Sequence, residues 1–252
     1  MRNNDFKLLI LFTLASLLIF VTGCSNNDIA NGNSSIKDEV NDTSISSQID
    51  KDQTIEELKT NLLTEVENEI SKLESEWDSL KNEINTYEKY VKNTDRVKDF
   101  YKKIETTTEE LSIRLYEYSY VYAEKILSSQ KKHDDIYDDL EDIHDDIYED
   151  ARDEIHDRIY EDLLDNMEET FYDGIIEDAE DEEDYSEWYD IRSDEYSMWY
   201  DTRSEVYEIY YDTGSDIYSF YYDLRSDVYG DDMDDANETL NDFKEDIDDI
   251  KK

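Results

Sequence analysis

An all-α fold follows from three features of the sequence. The 252 residues contain no proline and only five glycines, so the chain has few of the residues that end helices and set turns. Apolar residues recur at steps of three and four over long stretches, and the apolar/polar alternation of strands is missing. The second half repeats with periods of eleven and twelve residues, close to three helical turns. The expected architecture is an elongated helical hairpin or coiled coil, followed by an amphipathic helical array built from 11- and 12-residue repeats. Tyrosine, with 22 copies, supplies much of the 37% hydrophobic content. That composition suits helices burying a stripe better than a compact centre of aliphatic side chains.

The chain begins MRNNDFKLLILFTLASLLIFVTGCSNN. Arg2 and Lys7 form a basic head, and Leu8 to Val21 form an apolar run of 14 residues. Such a run fits a signal-peptide core and falls short of the ~20 residues of a membrane span. The segment Val21-Thr22-Gly23-Cys24 resembles the lipobox of bacterial lipoproteins, with Val where Leu is more usual in the first position. The resemblance covers residues 1–24. It implies a signal peptide over 1–23, cleavage before Cys24, a diacylglycerol thioether on the Cys24 sulfur and acylation of its new amino group. Several acyl chains on one residue make a stable anchor. Cys24 is the only cysteine, so no intrachain disulfide forms. Residues 24–51 follow as a Ser/Asn/Asp-rich tether without periodicity, which buries too little apolar surface to offset its ordering entropy. As a coil, residues 25–50 would reach roughly 25–30 Å.

A helical hairpin is expected over 52–130. Thr54 and Glu57 have capping-box spacing. Val66, Ile70, Leu73, Trp77, Leu80, Ile84, Tyr87 and Val91 then alternate steps of four and three, with Leu58 and Leu62 upstream. This predicts a helix from about 54 to 92, roughly 58 Å long. Asn93-Thr94-Asp95 offers three capping residues in a row. A second heptad series runs through Val97, Tyr101, Ile104, Thr108, Leu111, Leu115, Tyr118 and Tyr122, and the short connection predicts antiparallel neighbours.

From His133 the charge balance changes. Residues 1–132 carry 17 basic and 24 acidic side chains, whereas residues 133–252 carry 8 and 47. Acidic 12-residue repeats occupy 131–182. Within them Ile143, Ile147, Ala151, Ile155, Ile159, Leu163, Met167, Phe171 and Ile175 are spaced strictly by four. On a 3.6-residue helix that stripe drifts about 40° per step. The helix is therefore expected to wrap steeply or to break, with Gly174 and 177–184 as the candidate breaks.

Tyr-rich 11-residue repeats occupy 183–231: WYDIRSDEYSM, WYDTRSEVYEI, YYDTGSDIYSF and YYDLRSDVYG. On a wheel of about 98° per residue, positions one, two, four, eight, nine and eleven share an arc of about 200°. Asp190, Ser193, Asp194 and Ser197 fall opposite. Arg192, Arg203 and Arg225 sit inside the aromatic arc, four residues before the ninth-position Tyr, where cation–π contact is expected. The two repeat sets align with one residue inserted. A C-terminal helix is expected in 232–252, with Leu240, Phe243, Ile247 and Ile250 on one face and Lys251 and Lys252 at its negative end.

The motifs of chemistry are sparse. His133, His144 and His156 lie 11 and 12 residues apart, each where the repeat has Tyr. Neighbouring histidines are three turns apart, too far to share a metal ion, so tolerance of an imidazole at an aromatic position is the simpler reading. DVYGDDMDDANE comes nearest to a calcium loop but has Asp232 where the central Gly belongs. No nucleophile–base arrangement, phosphate loop or basic patch occurs. The net charge of −46 disfavours nucleic acid and direct contact with an anionic bilayer. The expected role is therefore structural or protein-interacting, without catalysis, cofactor or specific metal site. The expected contacts are the membrane through Cys24, a protein partner or a second copy, and weak divalent cations. The acidic array as a sink for divalent cations or cationic peptides, and the aromatic arc as a holder of glycans or lipids, are the rival expectations. Burial of Trp188 and Trp199 discriminates between a packed and a projecting array.

Overall fold

The computed structural model describes residues 49–50, 52–129, 131–180 and 184–251. The expected signal peptide, Cys24 and nearly all of the expected tether lie outside the described residues. Ile49–Lys252 forms one compact unit, and its described residues are helical or connecting, without strands. The fold is all-α.

Helix α1 (Ile55–Glu83) starts where its sequence says. Thr54 Oγ1 accepts from the Glu57 amide at 3.2 Å, and Glu57 Oε2 accepts from the Thr54 amide at 2.8 Å. The expected stripe from Leu58 to Ile84 is buried. The helix does not continue to 92. It stops at Glu83, and Thr86, in extended conformation, accepts from the Lys89 amide and starts the short helix α2 (Tyr87–Lys92). The restart rotates the register, so Tyr90 is buried and Val91, expected inside, is exposed.

Helix α3 (Thr94–Leu127) buries all eight residues of its expected series. It also buries Phe100, Arg114, Tyr116, Tyr120 and Ile126, too many for one hairpin face. The reason is its position: α1, the rod that follows, and the helices Tyr185–Tyr229 and Met233–Ile250 all pack against it.

The rod spans residues 133–179 and answers the problem of the four-residue spacing. It alternates α4 (His133–Ile143), α5 (Glu149–Ile155) and α6 (Leu164–Met167) with π-helical stretches at His144–Tyr148, His156–Leu163 and Glu168–Ile176. The π stretches begin at 144, 156 and 168, twelve residues apart. Three α turns hold about eleven residues. The twelfth is absorbed where the backbone bond widens to i→i+5. The helix neither wraps steeply nor breaks at Gly174. Ala151, Ile155, Ile159, Leu163, Met167 and Phe171 all stay on the buried face. Gly174 sits inside the third π stretch, where an added Cβ would meet the Glu169 carbonyl oxygen, five residues back, at 3.0 Å. The rod ends in a single 3₁₀ turn, Glu177–Ala179, within the second expected break.

Helix α7 (Tyr185–Tyr229) is capped by Asp184, whose side chain accepts from the Ser186 and Glu187 amides. Its 45 residues make it about 67 Å long. Asp231, at φ 61°, turns the chain, and α8 (Met233–Ile250) begins on the Asp232 cap, within the expected 232–252. α8 buries Leu240, Phe243 and Ile247 against α3 and α7. The Phe243 and Phe220 rings stack at 3.8 Å. Lys251, expected at the helix dipole, bonds Glu117 of α3 at 2.6 Å. The heptads thus serve a bundle in which α1, the rod, α7 and α8 pack around α3. The tyrosine repeats are packed into it rather than projecting.

Candidate functional site

The 11-residue repeat of α7 and the 12-residue repeat of the rod meet along one seam, and the seam itself repeats. Trp199 Nε1 donates to the Leu164 carbonyl at 3.1 Å, and Trp188 Nε1 donates to the Ile176 carbonyl at 2.7 Å. One step back along α7 is eleven residues, and the matching step along the rod is twelve. Arg203 pairs with Asp165, and Arg192 pairs with Glu177 at 2.8 Å, on the same two steps. Trp188 is buried and Trp199 partly so.

The arginines stack as well as pair. Arg203 lies 4.3 Å from the Tyr160 ring and 5.3 Å from Trp199. Arg192 lies 4.5 Å from Tyr172 and 5.5 Å from Trp188. Arg225 faces Tyr137 at 5.9 Å and Glu141 at 3.2 Å. For Arg192 and Arg203 the aromatic partners are the first residue of the repeat, four before the Arg, and a rod tyrosine, whereas Arg225 meets the rod's Tyr137. None of these is the expected ninth-position Tyr. The third repeat has Gly214 in place of Arg, and the rod fills the gap. Arg152 reaches across to Tyr210 at 5.0 Å and stands 3.4 Å from where a Gly214 Cβ would be. Four guanidinium groups are thus each held by aromatic rings and a carboxylate, since Arg152 also bonds Asp153 at 3.0 Å. A ring contact of this kind contributes about 0.5–2 kcal/mol according to its exposure.

The aromatic arc splits in two. Positions one, four, eight and eleven face inward. Positions two and nine face outward and, with Tyr185 eleven residues before Tyr196, form a ladder of nine tyrosines: 185, 189, 196, 200, 207, 211, 218, 222 and 229, each 45–85% exposed. Their spacing alternates four and seven. Four pairs, 185/189, 196/200, 207/211 and 218/222, stack with ring centroids 6.1–6.4 Å apart and planes within 28°. Apart from Val91, these are the exposed large apolar side chains among the described residues. The rod-side tyrosines of the ladder lean on rod rings: Tyr196 on Tyr172, Tyr207 on Tyr160 and Tyr218 on His144.

The π turns place a histidine and two carboxylates beside this seam. His144, Asp145 and Glu149 bring ligand atoms within 4.8 Å of one another, and so do His156, Asp157 and Glu161. The spacing i, i+1, i+5 shares a face because the turn is π-helical. The distance between successive histidines was the wrong measure; each has its own carboxylates. His144 is buried among Tyr148, Tyr218 and Tyr221, and its Nδ1 lies 2.8 Å from Asp145. Among the described residues, these two triplets are the groups that could hold a divalent ion. His133 instead pairs with Asp231 at the mouth of a cleft of about 520 Å³ that Tyr137 and Tyr229 also line.

One inward position breaks the pattern. Position eight is Val206, Ile217 and Val228 in three repeats and Glu195 in the first. Glu195 is fully buried and accepts from Tyr101 Oη at 2.7 Å and from Tyr90 Oη. Burial pushes its carboxyl up to about 7, while the two hydroxyls pull the other way. A glutamate in an apolar column was the signal, and the wheel placed its position inside without marking the exception. Asp216, bonded by Tyr116, is likewise raised to about 6 by burial, with Asp212 and Asp246 adding to the rise. Comparisons with family models, curated proteins and solved structures return no match for this chain.

Proposed function

We propose that this is a lipid-anchored protein of the outer face of a bacterial membrane, whose helical body holds the tyrosine ladder out as a contact surface for a protein partner, without catalysis. The ladder carries the reading. Nine half-exposed aromatic rings in line on one helix are a large apolar surface for a chain of such charge, and surfaces of this kind mark interaction sites. The lipobox-like residues 21–24 and the polar tether support the anchoring. No helix among the described residues is long and apolar enough to cross a membrane. Detergent-phase partition of the full chain and of Cys24→Ala tests the anchor. The variant is expected in the aqueous phase, and equal partition of both sinks it. Tyrosine nitration on intact cells and on purified protein tests the ladder. Protection of ladder tyrosines in cells is expected, and equal modification argues against a partner.

A second reading has its own observation. The two histidine–carboxylate triplets offer mixed nitrogen and oxygen ligands of the kind divalent transition ions take, which favours cation sequestration. Titration with cobalt(II) followed by its visible spectrum separates the readings. Bands lost in His144→Gln/His156→Gln support the second, and a featureless spectrum removes it.

A further inference from the structure

We propose that the partner of the ladder is an arginine-rich polypeptide segment, a proposal that rests on reading the ladder as a contact surface. The bundle already solves this recognition problem internally. Along the buried side of the seam, four arginines lie against Tyr or Trp rings at 4.3–5.9 Å, each with a carboxylate partner. The outer side offers the same two ingredients. The stacked pair 207/211 adjoins Tyr160, whose ring stacks on His156, and His156 lies beside Asp157 and Glu161. The pair 218/222 adjoins His144, beside Asp145 and Glu149. The pair 196/200 adjoins Tyr172, beside Asp173.

Charge selects among occupants. A second copy would bring another −46 against the first, and like charges facing each other oppose association. A neutral glycan would use the rings and leave the negative charge of the neighbouring rod carboxylates unneutralised. A cation uses both. Arginine fits better than lysine because its planar, weakly hydrated guanidinium lies flat on a ring while its N–H groups reach a carboxylate. The modules recur every eleven residues of α7, about 16.5 Å. An extended partner at ~3.3 Å per residue covers that pitch in about five residues.

The test titrates the full chain in detergent with an arginine-rich peptide, a lysine-rich peptide of equal length and charge, and a neutral amino-sugar oligomer. Each titration runs at low and high salt. The triple variant Tyr200→Ser/Tyr211→Ser/Tyr222→Ser serves as control, with its helicity checked by circular dichroism. These three side chains touch only the ladder in the ring contacts of the structure. The arginine peptide is expected to bind several-fold tighter than the lysine peptide. It is expected to lose about tenfold or more in the triple variant, three exposed ring contacts being removed. Equal affinity for both peptides, unchanged in the variant, overturns the proposal in favour of plain charge attraction. Tyrosine-dependent binding of the sugar alone overturns the partner class and leaves the ladder as a contact surface. Tyrosine-independence of all three probes removes the contact surface itself.

Discussion

Glu195 sets a quantitative test of the bundle. Its carboxyl titrates near 7 in the folded chain against 4.5 ordinarily. At ~1.36 kcal/mol per unit the difference is worth about 3 kcal/mol. The folded-state value is raised, so the protonated form favours folding. That stability is fully present below about pH 4.5 and is lost as pH rises through 7. Glu195→Gln keeps the shape and a neutral acceptor for Tyr90 and Tyr101 but cannot ionise. Urea denaturation of both proteins at pH 5 and pH 8 isolates the term, because the other raised carboxyls (Glu109, Glu168, Glu205, Asp212, Asp216 and Asp235) are common to both. Near pH 5 the two should unfold at similar urea concentrations. At pH 8 the variant should be the more stable by about 2–3 kcal/mol. Glu195→Val, the residue of two sister repeats, strands two buried hydroxyls and should cost about 1–3 kcal/mol per hydroxyl relative to Gln. Parallel pH profiles for wild type and Glu195→Gln would refute the reasoning, since the buried charge would then have no energetic consequence.

Three further outcomes are expected. Arg203→Lys keeps the charge beside Asp165 but loses the flat stack on Tyr160 and Trp199, and thermal melting should show a loss of about 1 kcal/mol. Gly174→Ala should lower the melting temperature despite alanine's propensity advantage of ~1 kcal/mol, because the Glu169 carbonyl stands where the methyl must go; a rise would show that the π turn relaxes. Deleting Glu161 turns one 12-residue repeat into eleven and should leave a cooperative transition, since α turns can then carry the stripe. Deleting Ser204 rotates the rest of α7 by about 100° and should abolish cooperative unfolding.

Much of the helical order is legible in the sequence, because heptads and a capping box act locally. Val66 to Ile84 and Val97 to Tyr122 lie inside as their spacing requires. Three things are not legible, each for a tertiary reason. Val91 matches its heptad but falls after Thr86, whose cap restarts the helix. The outer faces of α3 read as surface until α7 and α8 cover them. The aromatic arc of α7 spans more than one neighbour can cover, so the wheel cannot say that positions one, four, eight and eleven go inward while two and nine stay out. Cys24, the anchoring residue expected from the sequence, lies outside the described residues, and the ladder took its place as the candidate site that geometry defines.

The two repeat lengths are one device. Between Arg192 and Arg225, 33 residues of α7 face the 36 residues of the rod between Glu141 and Glu177. As plain α-helices these would differ by about 4.5 Å, most of a 5.4 Å turn. The arginine–carboxylate pairs would then fall out of step before the seam ended. Each π turn takes one residue into the girth of the rod instead of its length, three times in 36 residues. Arg192, Arg203 and Arg225 consequently each find a carboxylate. The same matching fixes the outer side. Because the rod advances one repeat for each repeat of α7, Tyr196, Tyr207 and Tyr218 meet the rod rings of Tyr172, Tyr160 and His144 at a common pitch. The eleven-residue period of α7 spaces the ladder, and the inserted twelfth residue of the rod keeps a rod ring beside each of these three stacked pairs.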